Sequence, residues 1–275
     1  MDEKFSVLMS VYFKENPEYM RLALKSVIED QTLKPAEVIL VEDGPLTDEL
    51  YQVIDEFKEK YPDILKTIPL KENGGLGPAL NIGLDNCSYD LVMRMDTDDV
   101  ACPDRFAIQV KYMNEHPDVS VLSGAIGEFD QSPDEELRIK KLPLSAEDLR
   151  EYNKFRNPVN HMAACLRKKD ILEVGSYQPM LFLEDHYLWE RLIVAGKKIE
   201  AVPDVLVKAR IGNGFYDRRG SKNYIKGWKI LSKYMYDNNI VSLPEKMRND
   251  LGMYVLVYCP EWFRKLLYKK ILRKN

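Results

Sequence analysis

The sequence predicts an α/β fold with a mainly parallel central sheet flanked by helices. Short β-rich runs alternate with amphipathic helical stretches over the first 125 residues, and the connections between them are short. Repeated strand–helix units of this kind are typical of parallel sheets covered on both faces. With 275 residues, of which 45% are hydrophobic, the chain can bury the core of one large or two small domains.

The first strand–helix unit starts near the N-terminus. Residues 5–11 form a β-rich run, and Asn16 followed by Pro17 predicts a helix N-cap with proline at the first helical position. Apolar residues then recur at helical spacing and predict one buried stripe. The next predicted elements are a strand at 37–42, a helix at about 48–61, a strand at 65–69, a helix from Pro78 to about Leu84 and a strand that starts at Leu91.

Beyond that strand the pattern is less regular. Pro103 opens a helix that reaches about His116, and residues 119–122 form a strand. Ser145 and Asp148 resemble a capping box before a short helix. Further strands are predicted at 137–142 and 162–166, and an amphipathic helix starts at 184–185.

Composition and charge exclude several classes of protein. The formal net charge of −4 argues against nucleic acid as a partner. The four cysteines include no C-x-x-C pair, so neither a zinc ribbon nor a disulfide framework is predicted, and a reducing cytoplasm fits. The first apolar run is too short, and its surroundings too acidic, for a signal peptide. The longest apolar stretch, 251–259, contains Gly252 and stops at Pro260, so no membrane span is predicted.

Three carboxylates, Asp96, Asp98 and Asp99, follow directly after the β-type run at 91–95. At an extended strand end, Asp96 and Asp98 lie on one face, within reach of one hard divalent cation that can neutralise a diphosphate. Ligands bind at strand ends in α/β sheets, which favours a metal and diphosphate site. The alternative is a solvated acidic loop.

A second acidic pair, Glu184 and Asp185, lies at a predicted helix start, where the helix dipole favours the ionised form. A carboxylate kept ionised beside a substrate pocket can take a proton from a hydroxyl. The alternative is that both are ordinary first-turn acids that stabilise the helix. Together the two acidic centres predict two different roles: the triplet holds the cation and the leaving group, and the second pair supplies a general base.

With these segments in place, the chain resembles the family-2 glycosyltransferases of the GT-A fold that build capsular or exopolysaccharide repeat units in bacteria. The resemblance covers about residues 4–215, and the ordered set of matching segments is more specific than any one of them. The segments are residues 6–12, 41–45, 73–77, 94–99, 157–161 and 184–185. The resemblance implies a GT-A catalytic domain at 1–215, with a nucleotide-binding half at 1–125 and an acceptor-binding half at 126–215, followed by a helical C-terminal extension at 216–275.

The resemblance also implies roles on the donor side. Asp98 is implied as the ligand of a Mn2+ or Mg2+ ion, with Asp99 in support. Asp96 is implied near the ribose of a nucleotide-sugar donor, and Asp43 in contact with the nucleotide base. By family habit the nucleotide is UDP.

On the acceptor side, Asp185 matches the family's catalytic base and stands next to Glu184. Enzymes of this family invert the anomeric centre, so no covalent sugar intermediate is expected. The implied acceptor is a saccharide or lipid-linked saccharide in cell-surface polysaccharide synthesis.

Four other positions are candidate contacts with the substrates. Gly75 lies in an Asn-Gly-Gly turn whose backbone amides either contact a phosphate or serve the turn alone. Asn81 is a nucleotide-sugar contact by family likeness and otherwise a surface or capping amide. Arg94 interrupts an apolar strand, so it either pairs with Asp96 or contacts the diphosphate. His161 is a candidate acceptor contact, with a structural histidine as the alternative.

The sequence departs from the family after the second acidic pair. Ile211 stands where a histidine is expected, which puts a third protein ligand to the metal in doubt. The lack of a Gln/Arg-x-x-Arg-Trp element favours single addition over processive synthesis. Arg210, Arg218 and Arg219 belong to a Gly-rich segment that either closes over the diphosphate or forms a solvated basic loop.

The tail at 261–275 combines basic residues with Trp262 and Phe263. A basic helix with aromatic anchors can lie on an anionic membrane, and packing on the catalytic domain is the alternative. Peripheral contact with the inner face of the cytoplasmic membrane would suit a lipid-linked acceptor.

Two other functions fit parts of the sequence. Residues 96–100 also match the Asp-x-Asp-x-Thr/Val signature of haloacid-dehalogenase-like phosphatases, with 184–185 as a distal acidic pair. That signature normally ends the first strand of its core, whereas at least two strand–helix units precede it here. A non-catalytic sugar-nucleotide binding module is the third interpretation, and the retention of both acidic centres argues against it.

Overall fold

The structure, a computed structural model, describes residues 4–135, 137–211 and 222–259. A sheet of nine strands lies at the centre of this part of the protein. The strands are β1 (Ser6–Val11), β2 (Glu37–Glu42), β3 (Leu65–Pro69), β4 (Leu91–Arg94), β5 (Val100–Ala101), β6 (Val119–Phe129), β7 (Arg138–Lys140), β8 (Cys165–Arg167) and β9 (Lys198–Arg210). The helices are α1 (Pro17–Ile28), α2 (Asp48–Lys60), α3 (Leu76–Asn86), α4 (Arg105–Glu115), α5 (Ala146–Asn153), α6 (Lys168–Glu173), α7 (Glu184–Val194), α8 (Lys222–Asp237) and α9 (Leu243–Tyr258).

The sheet is parallel in its first half and mixed in its second. Its order is β3-β2-β1-β4-β8-β6-β9-β5, with β7 paired to β6. β1 pairs in parallel with β2 and β4, and β2 with β3. β8 then runs antiparallel to both of its neighbours, β4 and β6. The predicted parallel pairing holds throughout the first half and recurs between β6 and β9 in the second. The antiparallel pairs were not predicted, and they arise where the long segment between β4 and β8 lets the chain re-enter the sheet in the opposite direction.

Local sequence signals account for several helix starts. The side chain of Asn16 accepts a hydrogen bond from the Glu18 amide at 2.9 Å, with Pro17 in the first turn of α1. Ser145 caps α5 by accepting from the Asp148 amide at 3.1 Å. These two predicted starts are confirmed.

Apolar side chains cover both faces of the sheet, as predicted. Along β1, Val7 and Met9 pack into a core with α1, α2 and α4. Leu8, between them, packs into a second core with α3 and α7. Alternation along a strand sends successive side chains to opposite faces, so a strand buried on both faces is apolar throughout.

The predicted strand bounds are incomplete in the second half of the sheet. β6 extends to Phe129, well beyond the predicted end at Leu122, and β9 was not predicted. β9 contains Pro203 and charged residues, and its pairing with β6 shifts register around Gly124 and Ala125. Such a strand lacks the regular alternation of apolar and polar residues from which strands are predicted. Its pairing is determined by its partner strand and by the irregularities in register.

Helices α8 and α9 form the described part of the predicted C-terminal extension. They share a third apolar cluster with the segment that precedes α7, including Met180, Leu183 and Trp228. At Gly227 the contact is close, since a Cβ there would lie 2.4 Å from the carbonyl oxygen of Leu181. α8 therefore fixes the segment that leads into Glu184 and Asp185. Among the described helices, none has the length and apolar content that a membrane span requires.

Candidate active site

Acidic residues meet at one edge of the sheet. β1, β2 and β4 run in parallel, so their carboxyl ends lie at the same edge. Glu15 follows β1, Asp43 follows β2, and Asp96, Asp98 and Asp99 follow β4. The structure therefore places the acidic triplet at the strand end where the sequence predicts a ligand site.

The triplet forms a compact group of carboxylates. One oxygen from each of Asp96, Asp98 and Asp99 lies within 4.8 Å of the others. Burial raises the pKa of Asp98 to about 7, and the charges of Asp96 and Glu15 act in the same direction. Burial also raises the pKa of Asp99, together with its two acidic neighbours. Oxygen ligands that repel one another in this way fit a hard divalent cation, which would relieve the repulsion.

Arg94 and Asp96 form an ion pair at the end of β4. Nη1 of Arg94 lies 2.5 Å from Oδ2 of Asp96, and the Arg94 side chain is 2% exposed. A guanidinium that is buried to this extent needs a compensating charge, which Asp96 supplies. Of the two alternatives for Arg94, the structure shows the pair. The predicted diphosphate contact lacks support, because Arg94 is enclosed by protein.

Glu15 is a site residue that sequence reasoning missed. Its Oε2 accepts a hydrogen bond from Oγ1 of Thr97 at 2.7 Å, and its Oε1 accepts one from the Asn16 amide at 2.8 Å. Burial raises the pKa of Glu15, and the charge of Asp96 raises it further. The only signal in the sequence is an acid directly before a helix cap, which does not distinguish a site residue from a surface one.

Asp43 holds the turn that contains Gly75. Its Oδ1 accepts from the Gly74 amide at 2.7 Å, and its Oδ2 accepts from the Gly75 amide at 3.1 Å and the Asn73 side chain at 2.9 Å. Asp43 is 3% exposed. The predicted phosphate contact through the Gly75 amide is therefore not supported, because a buried carboxylate already accepts from it. A base contact by Asp43 stays a prediction.

Tyr177 is the common partner of Asn81 and His161. The Asn81 side chain donates to the Tyr177 carbonyl at 2.7 Å and accepts from the Tyr177 amide at 2.9 Å. Asn81 thus braces the protein, and its predicted contact with the donor lacks support. Nε2 of His161 lies 2.8 Å from the Tyr177 hydroxyl. Burial and the nearby charge of Arg94 hold the pKa of His161 well below its usual range, so its imidazole is neutral at pH 7. Its acceptor contact remains a prediction.

The second acidic pair opens α7, as predicted, and its two members differ. Oδ2 of Asp185 accepts from Nδ2 of Asn157 at 2.7 Å. Burial raises the pKa of Glu184, and the charge of Asp185 adds to this effect. Glu184 packs on the first turn of α3, where a Cβ at Gly77 would lie 3.4 Å from its Cγ. Asp185 is thus oriented by an amide donor, an arrangement that suits a general base.

Tyr177 also links the two acidic centres. It is 2% exposed, and the charges of Arg94, Asp96 and Asp185 all act on its hydroxyl. Asp96 of the triplet and Asp185 of the second acidic pair therefore both lie near this one buried hydroxyl, although almost 90 residues separate them in sequence. Tyr177 carries no motif, and sequence reasoning did not find it.

Arg210 braces the triplet from the end of β9. Its backbone amide donates to Oδ1 of Asp99 at 2.7 Å, and its Nε donates to the Asp98 carbonyl at 3.2 Å. Its guanidinium lies between the rings of Tyr19 and Phe129, at 3.6 Å and 4.5 Å. These contacts oppose a role for Arg210 in a lid over the diphosphate. Arg218, Arg219 and the tail at 261–275 lie outside the described residues.

The comparisons with known proteins agree with this geometry. Residues 6–173 match the family model for glycosyl transferase family 2. The amylovoran biosynthesis glycosyltransferase AmsE of Erwinia amylovora is 42% identical over 222 residues, covering 81% of this chain and 82% of that protein. An Escherichia coli UDP-Gal:alpha-D-GlcNAc-diphosphoundecaprenol beta-1,3-galactosyltransferase is 36% identical over 271 residues, covering 98% of this chain and 97% of that protein.

Solved structures share the fold at low identity. The 1–349 fragment of Staphylococcus aureus TarS in complex with UDP-GlcNAc superposes with a TM-score of 0.66 at 18% identity, covering 98% of this chain and 76% of that one. The mannosyltransferase PcManGT of Pyrobaculum calidifontis, in complex with GDP-Man and Mn2+, gives a TM-score of 0.63 at 17% identity, covering 96% and 72%. The predicted GT-A fold is confirmed.

The phosphatase interpretation fails on topology, because the acidic triplet follows β4 and not the first strand of the core. The family match covers more than half of the chain and includes the triplet, the turn at 73–75 and the segment that holds Asn157. Two relatives match the chain over more than four fifths of their own length. The chain therefore belongs to glycosyl transferase family 2.

Proposed function

We propose that the protein is an inverting, metal-dependent glycosyltransferase that moves a sugar from a UDP-sugar to a hydroxyl of a lipid-linked saccharide, in cell-surface polysaccharide synthesis. The observation that carries this proposal is that one acid of each acidic centre, Asp96 and Asp185, lies near the buried Tyr177 hydroxyl. One is a carboxylate cluster suited to a cation, and the other presents Asp185 with an orienting amide. The lipid-linked acceptor is supported by the E. coli relative, whose name specifies one.

The triplet supplies the donor side of the site. Asp98 and Asp99 are the residues that would hold Mn2+ or Mg2+, since their carboxylates converge and repel one another. Such an ion supplies Lewis-acid stabilisation to the departing nucleoside diphosphate. Asp96 keeps one side towards solvent, with its side chain 31% exposed, which suits a ribose contact as well as the pair with Arg94. We propose that the donor half spans residues 1–125 and the acceptor half residues 126–215.

Asp185 supplies the acceptor side. The acceptor hydroxyl oxygen attacks the anomeric carbon, and its proton passes to the Asp185 carboxylate. The bond from that carbon to the diphosphate oxygen breaks, and the electron pair leaves with the diphosphate. Asn157 holds one Asp185 oxygen at 2.7 Å, so the other is the proton acceptor. A single displacement of this kind inverts the anomeric centre.

We further propose that the C-terminal extension contacts anionic lipid. The tail at 261–275 is basic and aromatic in sequence. Before it, α9 exposes Leu243, Met247 and Leu251 at successive turns, with exposures of 51%, 63% and 66%. α8 adds a row of exposed lysines, and one of them, Lys229, lies over the ring of Tyr254 of α9 at 5.3 Å. An apolar row beside basic residues suits the surface of an anionic membrane, and it would bring the acceptor half to the inner face of the cytoplasmic membrane.

A donor and acceptor screen tests the function. Thermal-shift measurements with UDP, GDP, CDP and dTDP sugars, with Mn2+ or with a chelator, should identify one donor whose stabilisation needs the metal. That donor is then incubated with a synthetic GlcNAc-diphosphate-lipid, and the anomeric configuration of the product is read by NMR. Retention of configuration, or transfer that is undiminished in chelator, would overturn the proposal.

A further inference from the structure

A strained aromatic residue stands directly before the second acidic pair. Phe182 has a φ of +64°, a left-handed backbone conformation that a bulky residue rarely adopts. Conformations of this kind are unfavourable and persist where the surrounding structure imposes them, often at ligand sites. The Phe182 side chain does not offset the cost by burial, because the residue is 45% exposed.

The backbone on both sides of Phe182 is fixed. The Leu181 carbonyl is in close contact with α8 at Gly227, where a Cβ would lie only 2.4 Å away. Leu183 is 5% exposed and packs into the apolar cluster shared with Trp228. The Phe182 amide also hydrogen-bonds to the carboxylate of Glu184. These contacts hold the backbone at Phe182 in place, while its side chain stays 45% exposed.

The ring of Phe182 is part of an aromatic shelf, which we define as Phe182 and Tyr224. Their ring centroids are 6.5 Å apart and their planes differ by 27°, so the two rings stack. The negative face of an aromatic ring attracts weakly positive C–H groups, such as those on one face of a sugar ring. Asp185 follows Phe182 by three positions, on the segment held by α8.

We propose that this aromatic shelf is a subsite for the sugar ring of the acceptor, stacking that ring so that its hydroxyl reaches Asp185. The inference rests on the proposed glycosyl transfer and assigns it an acceptor-binding feature. The strain at Phe182 is then the cost of presenting an aromatic ring at this place.

The test uses a variant, Phe182→Gly, that should make the protein more stable and its acceptor binding weaker. Phe182→Gly removes the ring and relieves the φ strain, so its melting temperature should rise by about 2 °C or more. Its KM for a synthetic GlcNAc-diphosphate-lipid should increase roughly tenfold, which is the scale of one aromatic contact. Its donor KM and its slow hydrolysis of the donor by water should not change, because neither requires the acceptor sugar to bind. Phe182→Tyr should restore the acceptor KM.

Asn239→Gly is the matched control. Asn239 has a φ of +58° in the exposed turn after α8, so this variant relieves a similar backbone conformation away from the shelf. It should gain some stability without any change in KM. A fall in the melting temperature of Phe182→Gly, or an unchanged acceptor KM in an active enzyme, would overturn the shelf. If the wild-type protein neither transfers nor hydrolyses any of the donors, the proposed function fails instead.

Discussion

Replacing Asp98 by asparagine should stabilise the metal-free protein and abolish its metal-dependent donor binding. In the folded protein the pKa of Asp98 is raised from 3.8 to about 7, mainly by burial. The protonated form therefore supports the fold. This contribution is fully present below the unfolded pKa, at about pH 4, and is lost as the pH rises through the folded pKa.

The magnitude follows from the same shift. A rise from 3.8 to about 7 corresponds to at most about 4 kcal/mol, at roughly 1.4 kcal/mol for each pKa unit. Asparagine keeps the shape of the side chain and carries no charge at any pH. At pH 8 in chelator, Asp98→Asn should therefore exceed the wild type in free energy of unfolding by up to about 4 kcal/mol. At pH 5 the wild type has lost only about 1.6 kcal/mol, so the difference should shrink to less than half.

Asp96→Asn provides a matched control two residues away. It leaves the buried Arg94 without its partner, so it should lower the free energy of unfolding. About 2 kcal/mol is a reasonable scale, because the Asp96 side chain is 31% exposed and water can partly replace it. Urea denaturation of both variants and the wild type, at pH 5 and pH 8 in chelator, measures the two effects.

Adding Mn2+ completes the experiment. At a hundred times its dissociation constant, the ion should add about 2.7 kcal/mol to the wild type. Asp98→Asn should gain little, and calorimetry should show that its donor binding no longer depends on the metal. If Asp98→Asn is less stable than the wild type in chelator at pH 8, or gains as much from Mn2+, the reasoning about the carboxylate cluster is refuted.

Four further outcomes can be measured on the same protein. Asp185→Asn should keep its donor affinity and lose about a hundredfold in turnover, and loss of donor affinity with turnover intact would make Asp185 a binding residue. Asn81→Ala should destabilise the fold by about 2 kcal/mol, because two hydrogen bonds to the Tyr177 backbone are lost, and the folded variant should bind the donor normally. A loss of donor affinity without a loss of stability would instead support the predicted contact of Asn81 with the donor. Arg210→Met should weaken Mn2+ binding measured by calorimetry, because it removes a contact to the Asp98 backbone, and unchanged affinity would make the brace irrelevant. A chain that ends at Pro260 should bind anionic liposomes more weakly than the full chain, with each lost basic residue contributing on the order of 1 kcal/mol at low salt, and equal sedimentation would assign 261–275 to packing.

The fold could be predicted where a signal is local. The cap at Asn16 with Pro17 locates α1, and the apolar run at 37–42 coincides with β2. β9 could not be predicted, because its pairing with β6 and its register shifts depend on residues about 80 positions away. The direction of β8 is likewise decided by its two neighbours in the sheet and not by its own three residues.

The residues of the candidate site also differ in whether a local sequence pattern predicts them. The acidic triplet and the pair at 184–185 have local patterns, a strand end and a helix start, and the structure places both where the sequence indicates. Tyr177 and Asn157 have no such pattern, and each acts through a partner far along the chain: Asn81 is 96 positions from Tyr177, and Asp185 is 28 from Asn157. A hydrogen bond between residues that are far apart in the chain follows no local spacing rule that the sequence alone would reveal.

The polar residues that sequence reasoning assigned to the donor share one physical feature, since most of them face inward. Asp43 accepts from two backbone amides, Asn81 both donates to and accepts from the Tyr177 backbone, and Arg94 is paired with Asp96. Buried polar groups need such hydrogen-bond or charge partners. A polar residue in an apolar stretch therefore indicates a group paired within the protein at least as strongly as it indicates a residue that contacts a ligand. Asp98, whose pKa is raised by burial and by the charges of Asp96 and Glu15, is instead an acid whose ionised form a cation would stabilise. Buried acids of this kind at the sheet edge, more than polarity in a motif, therefore indicate where we propose that the metal and the diphosphate bind.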